Sequence, residues 1–399
     1  MGQHGIIIVG AGAAGMSAVA TLRTEGYEGP VTVLNGEPHL PYNRTLVNKG
    51  LLPGLLTLEQ ITQPGARALE GDLAQGRAAS LDTENSILML EDGRTLPYTA
   101  LIAATGSSPR PDSRITAAPD RVFHLHTAQD AVRLHAQLGE NAATKTITIL
   151  GAGFIGAETA SYLAEAGARV NLVARSATPL AAALGSHIAR QIAELHRLNV
   201  ITHFGQDITA LIPGPTSVTA TLSDGQILES DLVVIAHGTA PSSAWITEDD
   251  KGIGVDSRLR ALSHERVYAA GGVALHTTSA GQLYRIDHWD AAVAQGAHAA
   301  RAVLHDLTGA PDPGPYTPDT GFTLTVYRHA AAAYGTILPG SEERQQETGD
   351  PNAVLTSFHD PGGAMTAVAG LDAFTELLAA RSEITIPNSD GSLAIQKTR

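Results

Sequence analysis

The sequence predicts an α/β protein: two doubly wound units built on parallel strands, followed by a smaller α+β domain. Three observations carry that prediction. An apolar, β-branched run that breaks into spaced glycines occurs twice, ending at Gly15 and at Gly156. Each occurrence continues into a helical pattern and a second apolar strand. A segment rich in proline and glycine, Pro311 to Asp319, then sets off a tail of short strand-like runs.

The first unit reads "GIIIVGAGAAGMSAVATLRTEGYEGPVTVLNGE". Its opening run suits a strand buried on both faces. Gly10, Gly12 and Gly15 follow at G-x-G-x-x-G spacing. In such a turn the first glycine makes the bend, the second lets backbone approach a pyrophosphate, and the third lets helix pack on strand. "MSAVATLRTEG" reads as the helix whose N-terminal N–H groups face that phosphate, and "VTVLN" as the next strand. "KTITILGAGFIGAETASYLAEAGARVNLVARS" repeats the unit with Gly151, Gly153 and Gly156. The spacing between the two is far too long for a solenoid repeat. Two dinucleotide-binding folds imply two dinucleotides, and the economical pair is a resident flavin with an exchanging nicotinamide.

"YTALIAATGSSPRP" and "SDLVVIAHGTAPS" each read as a strand running into a small-residue turn, placed to carry the chain between units. The expected division is 1–112 with 240–312 for the first unit, 113–239 for the second, and 313–399 for the tail. There, "FTLTVY", "AVLTSF" and "MTAVAG" read as strands and "LDAFTELLAARS" as a helix.

Composition narrows the function. A chain of 399 residues is too long for one hydrophobic core. The net charge of −14 argues against nucleic acid or an anionic membrane as partner. Cysteine is absent, which excludes disulfides, a redox dithiol, thiolate zinc and cysteine-held iron–sulfur clusters. The apolar run near the N-terminus is too short for a signal peptide or a span, so a cytoplasmic location is expected. His124 and His126 alternate along one presumed strand, but no third ligand at useful spacing joins them, and no metal site is expected.

Five stretches resemble one family: "GEPHLPYNRTLVNKGLL", "LIAATGSSPR", "GAGFIGAETA", "VDSRLRALSHERVYAAGG" and "DHWDAAVAQGAHAA". Their order is similar to that of the FAD-dependent pyridine nucleotide oxidoreductases. The match is nearest the ferredoxin reductase branch that serves oxygenase and cytochrome P-450 systems and includes the apoptosis-inducing factors. The resemblance runs nearly the whole chain. It implies FAD on the first fold, NAD(P)H on the second, a tail covering the flavin face, and a ferredoxin-type carrier as electron acceptor.

By the same resemblance, Lys49 approaches the flavin and Glu158 pairs with it near the nicotinamide. An ammonium there would stabilise negative charge on reduced flavin, and a carboxylate would orient it. FAD contacts are implied for Gly10, Gly12, Ala14, Gly15, Glu37 and Arg44. They extend to Ala104, Thr105, Gly106, His126, Gly271, Gly272, His288 and Trp289. Nicotinamide dinucleotide contacts are implied for Gly151, Gly153, Phe154, Ile155, Gly156, Arg175, Ser176 and Gly238. "LVARS" places Ala174 where an acid would hold an NADH ribose, then Arg175, whose guanidinium suits a 2′-phosphate. NADPH is therefore expected ahead of NADH.

The chain departs from the family pattern at several positions. Gly272 stands where an aspartate accepts a bond from the ribityl chain, and Gly36 where an acid meets the adenosine ribose, leaving Glu37. His126 replaces an arginine near the pyrophosphate and is expected to donate to phosphate. The tail segment "PYTPDTGF" lacks the usual tryptophan. FAD is still expected to bind, less tightly. The departures leave two alternatives to carrier reduction: direct action on a small organic molecule or oxygen, or a nucleotide-binding protein with decayed redox function.

Overall fold

The run Ile6–Val9 forms a fully buried strand at the centre of a five-stranded parallel sheet. In this computed structural model the described residues are 4–387 and 393–395, apart from 70–71, 116–117, 119, 140, 279–280 and 319–320. Across the first sheet the strands run 267–269, 100–103, 6–9, 31–35, 73–75. The strand Val267–Ala269 arrives from far along the chain and pairs with Leu101 to Ala103. Between leaving and rejoining this sheet, the chain builds a second parallel sheet, ordered 201–204, 169–174, 146–150, 232–235, 122–124. Ser107–Pro109 and Thr239–Pro241 carry it out and back. They pair with each other as two antiparallel strands, so both crossings form one hinge.

The α-helices among the described residues are α1 (Ala13–Thr24), α2 (Ala128–Leu138), α3 (Phe154–Glu165), α4 (Ala181–Asn199), α5 (Trp289–Thr308) and α6 (Phe374–Arg381). α1 and α5 touch closely: a Cβ on Gly296 would fall 2.1 Å from the Ala14 carbonyl. α2 opens on a reciprocal cap between Thr127 and Asp130. α4 breaks at Gly185, and the buried ring of Phe358 fills the space a side chain there would need. None of these helices is long and apolar enough to cross a membrane.

The tail is a five-stranded antiparallel sheet ordered 321–326, 329–335, 365–371, 354–359, 342–346, with α6 against it. The α/β class and the α+β tail agree with the sequence. Two tail strands escaped it. His329–Gly335 is dominated by alanine, and Glu342–Gln346 is an exposed polar edge strand without apolar alternation.

Candidate active site

Both glycine turns have the same geometry. Gly10 and Gly151 have φ of 111° and 108°, where a side chain would be strained. A Cβ on either would also stand 2.3 Å from a carbonyl, of Ala104 or Ala236. Gly15 and Gly156 lie against those turns: added Cβ atoms would fall 1.9 and 1.8 Å from the carbonyls of Gly10 and Gly151. These two residues pack helix on strand and do not border the cleft. Gly12 and Gly153 are the opposite case. No heavy atom lies within 4 Å of an added Cβ, and α1 and α3, which they cap, have no side-chain cap bond. Their first N–H groups are therefore open to a ligand.

Both turns face one cleft of about 2070 Å³, well above the roughly 300–1,000 Å³ of a pocket for one small ligand. On the first-sheet side, Gly10, Gly12, Ala14, Glu37 and Arg44 border it. Lys49 and the segment Ala104, Thr105, Gly106 continue that wall, with His126 beyond. Gly151, Gly153, Phe154, Ile155 and Glu158 line the second-sheet side, with Arg175, Ser176 and Gly238. Gly271, Gly272, His288 and Trp289 close the floor. Two uncapped helix starts, each beside an open glycine, fit the pyrophosphates of FAD and of a nicotinamide dinucleotide.

Where the two sides meet, Lys49 Nζ lies 3.3 Å from Glu158 Oε1. Lys49 sits in a π-helical turn, Val47–Leu51, a distortion that recurs at functional positions. The Glu158 carboxylate, 8% exposed, also accepts from Asn48 Nδ2 at 2.6 Å and from the Thr325 backbone N–H at 2.9 Å. Two separate parts of the chain, residues 48–49 and the tail strand, thus fix one carboxylate. Sequence reasoning missed Asn48, which stands beside Lys49 in "GEPHLPYNRTLVNKGLL" without a role implied by the resemblance, and Thr325, which carries no local motif.

At the other end of the first cradle Glu37 is already engaged. Tyr42 Oη donates to its Oε2 at 2.7 Å, and Arg44 donates to Oε1. Burial raises the Tyr42 phenol well above its usual range, which keeps it a donor. Arg77 lies over Gly36, its Cγ 3.3 Å from where a Cβ would be, and adds a cation to the cleft wall. His126 differs from its expected role. Its Nε2 meets the Ser107 carbonyl at 2.9 Å, so that nitrogen carries the proton. Burial, with the Arg44 charge second, lowers its pKa. A neutral ring so held leaves only an accepting Nδ1, which cannot donate to phosphate.

Three aromatic rings from three segments meet at the cleft. His288, the residue before α5, stacks on Phe322 of the tail sheet at 5.3 Å and 19°. Phe154, the first residue of α3, meets Phe322 at 4.6 Å and His288 at 5.6 Å. Burial lowers the His288 pKa. Phe322 is thus the aromatic that the tail contributes, a role the sequence reading left empty. Arg175 follows the strand Arg169–Ala174, borders the cleft and is exposed. Ser176 turns its hydroxyl back to the Thr178 carbonyl at 2.8 Å.

Paired phosphate cradles opening on one cleft, with an ion pair between them, define an oxidoreductase fold for two dinucleotides. Residues 4–296 match the model of the pyridine nucleotide-disulphide oxidoreductases, and the chain belongs to that family, which uses FAD and a pyridine nucleotide. It is similar to apoptosis-inducing factor 3 of Homo sapiens, 29% identical over 381 residues, covering 92% of this chain and 60% of that protein. It is also similar to the ferredoxin–NAD(+) reductase component of the p-cumate 2,3-dioxygenase system of Pseudomonas putida. That match is 30% identical over 271 residues, 67% of this chain and 62% of that one. The chain therefore spans about 60% of the length of these curated relatives. In fold it is similar to the crystal structure of a ferredoxin reductase from Rhodopseudomonas palustris, with a TM-score of 0.86 and 23% identity, covering 95% and 94% of the two chains.

Proposed function

We propose that this protein is an FAD-dependent reductase that takes hydride from NAD(P)H and passes electrons to a ferredoxin-type carrier. The observation that carries the reading is the Lys49–Glu158 ion pair, which joins two opposed dinucleotide cradles inside one cleft. Gly12 and the start of α1 would hold the FAD pyrophosphate, and Gly153 and the start of α3 that of NAD(P)H. Bound flavin would supply the conversion of a two-electron hydride into single electrons. Glu158 orients the Lys49 ammonium toward the cleft, where it would stabilise developing negative charge. Phe154 and Phe322 meet edge to face at the cleft and Trp289 lines it; with both ligands bound, these rings would help exclude water.

Arg175 favours NADPH, because its exposed guanidinium, without an ion-pair partner among the described residues, matches a 2′-phosphate at that strand end. The carrier is supported by relatives whose names include ferredoxin reductases. Ferredoxins are generally acidic and this chain carries −14, so docking needs a local basic patch. The test is NADPH turnover by the FAD-reconstituted protein with and without a purified ferredoxin. Strong acceleration by the carrier is expected; unchanged turnover across a panel of ferredoxins would remove the carrier from the account.

A further inference from the structure

Gly272 borders the cleft just past the strand Val267–Ala269 and offers only hydrogen. The space beside it is occupied. A Cβ built at Gly272 would stand 2.2 Å from Asp287 Oδ1. The other oxygen of that carboxylate is gripped by the hinge: Ser107 Oγ donates to Oδ2 at 2.8 Å and Thr239 Oγ1 at 2.6 Å. Arg285 Nη1 lies 3.7 Å from Oδ2 and also donates to the Gly272 carbonyl. Oδ2 is thus saturated, while Oδ1 has no donor among the described residues and the side chain stays 36% exposed at the cleft. An oriented carboxylate with one free oxygen beside a backbone without a side chain is built to receive a hydroxyl.

Strand order says which part of a ligand passes there. Gly36 and Glu37 follow the strand Val31–Asn35 on one flank, and Gly12 sits centrally after Ile6–Val9. Gly272 lies on the opposite flank, ahead of His288 and Trp289. A dinucleotide with its pyrophosphate on Gly12 and its adenosine toward Glu37 runs its other arm past Gly272. If the ligand is FAD, that arm is a polyol. We propose that Asp287 Oδ1 accepts a hydrogen bond from a ribityl hydroxyl of FAD across Gly272. The proposal rests on the flavin reading above. It also explains the glycine: any side chain at position 272 would displace the carboxylate.

The experiment measures FAD dissociation constants on the apoprotein by quenching of flavin fluorescence. Wild type and Asp287→Asn are titrated with FAD and with analogues lacking each ribityl hydroxyl in turn. Asp287→Asn should bind FAD about 10- to 100-fold more weakly. The Ser107 and Thr239 donors hold the Asn oxygen at the Oδ2 position and leave its NH2 in place of Oδ1. For one analogue, wild type and variant should therefore bind alike, the same accepted bond being missing from both. Gly272→Ala, whose Cβ would push Oδ1 aside, should show the same loss and the same insensitive analogue. It decides the matter if Asp287→Asn fails to fold. A uniform loss for every analogue would reduce Asp287 to a structural clamp, and unchanged FAD affinity in either variant would overturn the proposal alone. Failure of wild type to bind FAD would remove the flavin reading as well.

Discussion

Lys49 Nζ lies 3.3 Å from Glu158 Oε1, and Asn48 Nδ2 donates to the other oxygen of the same carboxylate at 2.6 Å. With the Thr325 N–H at 2.9 Å, Glu158 is a buried junction of the two cradles and the tail. Removing it leaves the buried Asn48 amide without this partner and frees the part-buried Thr325 N–H. Glu158→Ala should therefore lower stability by about 2–4 kcal/mol, and Glu158→Gln, which keeps an acceptor, by clearly less. Urea unfolding of both variants measures the difference.

Lys49 is one-third exposed, and its loss should be felt in chemistry more than in stability. If Lys49 faces the flavin as proposed, Lys49→Met would take a charge-assisted partner from the reduced flavin. Its midpoint potential should fall by about 30–60 mV for the two-electron couple. Spectroelectrochemical titration checks the shift, and an unchanged potential would place the ammonium away from the flavin.

The glycines of one motif should fail in different ways. Gly12→Ala meets no atom within 4 Å, so the protein should fold with near-normal stability yet lose FAD affinity. Gly15→Ala would press a Cβ to 1.9 Å from the Gly10 carbonyl and should destabilise the fold by several kcal/mol. Thermal unfolding of the apoproteins separates the two.

Arg175→Ala should lower kcat/KM for NADPH by about 10- to 100-fold and leave NADH unaffected. Equal losses with both nucleotides would assign Arg175 to the pyrophosphate or to structure.

Two buried histidines make stability pH-dependent. Burial pushes the pKa of His196 and His276 from 6.5 down to about 4. Between those values the unfolded chain binds the extra protons, so this stability is complete above pH 6.5 and is lost as pH falls through about 4. Each site contributes at most about 3 kcal/mol. His276→Phe, which keeps a ring against Tyr284, should flatten the decline in chemical stability measured across that window.

The glycine turns were legible because spacing alone encodes a positive φ at Gly10 and a close approach at Gly15. Lys49 and Glu158 were legible only through resemblance; nothing local says that they meet. Contacts made by distant strands were not legible at all. Asp287 reaches Gly272 only because Val267–Ala269 joins the first sheet and the two hinge strands pair. Phe322 reaches Phe154 only once the tail sheet packs on α3. His126 was misread for a related reason: a donor on paper, it becomes a neutral ring whose proton is already committed to the Ser107 carbonyl.

The most direct test of the two-cradle account is an anaerobic NADPH titration of the FAD-reconstituted protein, followed in the flavin's visible band. The account predicts tight FAD uptake and bleaching by one equivalent of NADPH. A protein that stays colourless after incubation with FAD, or holds flavin that neither NADPH nor NADH reduces, would contradict it.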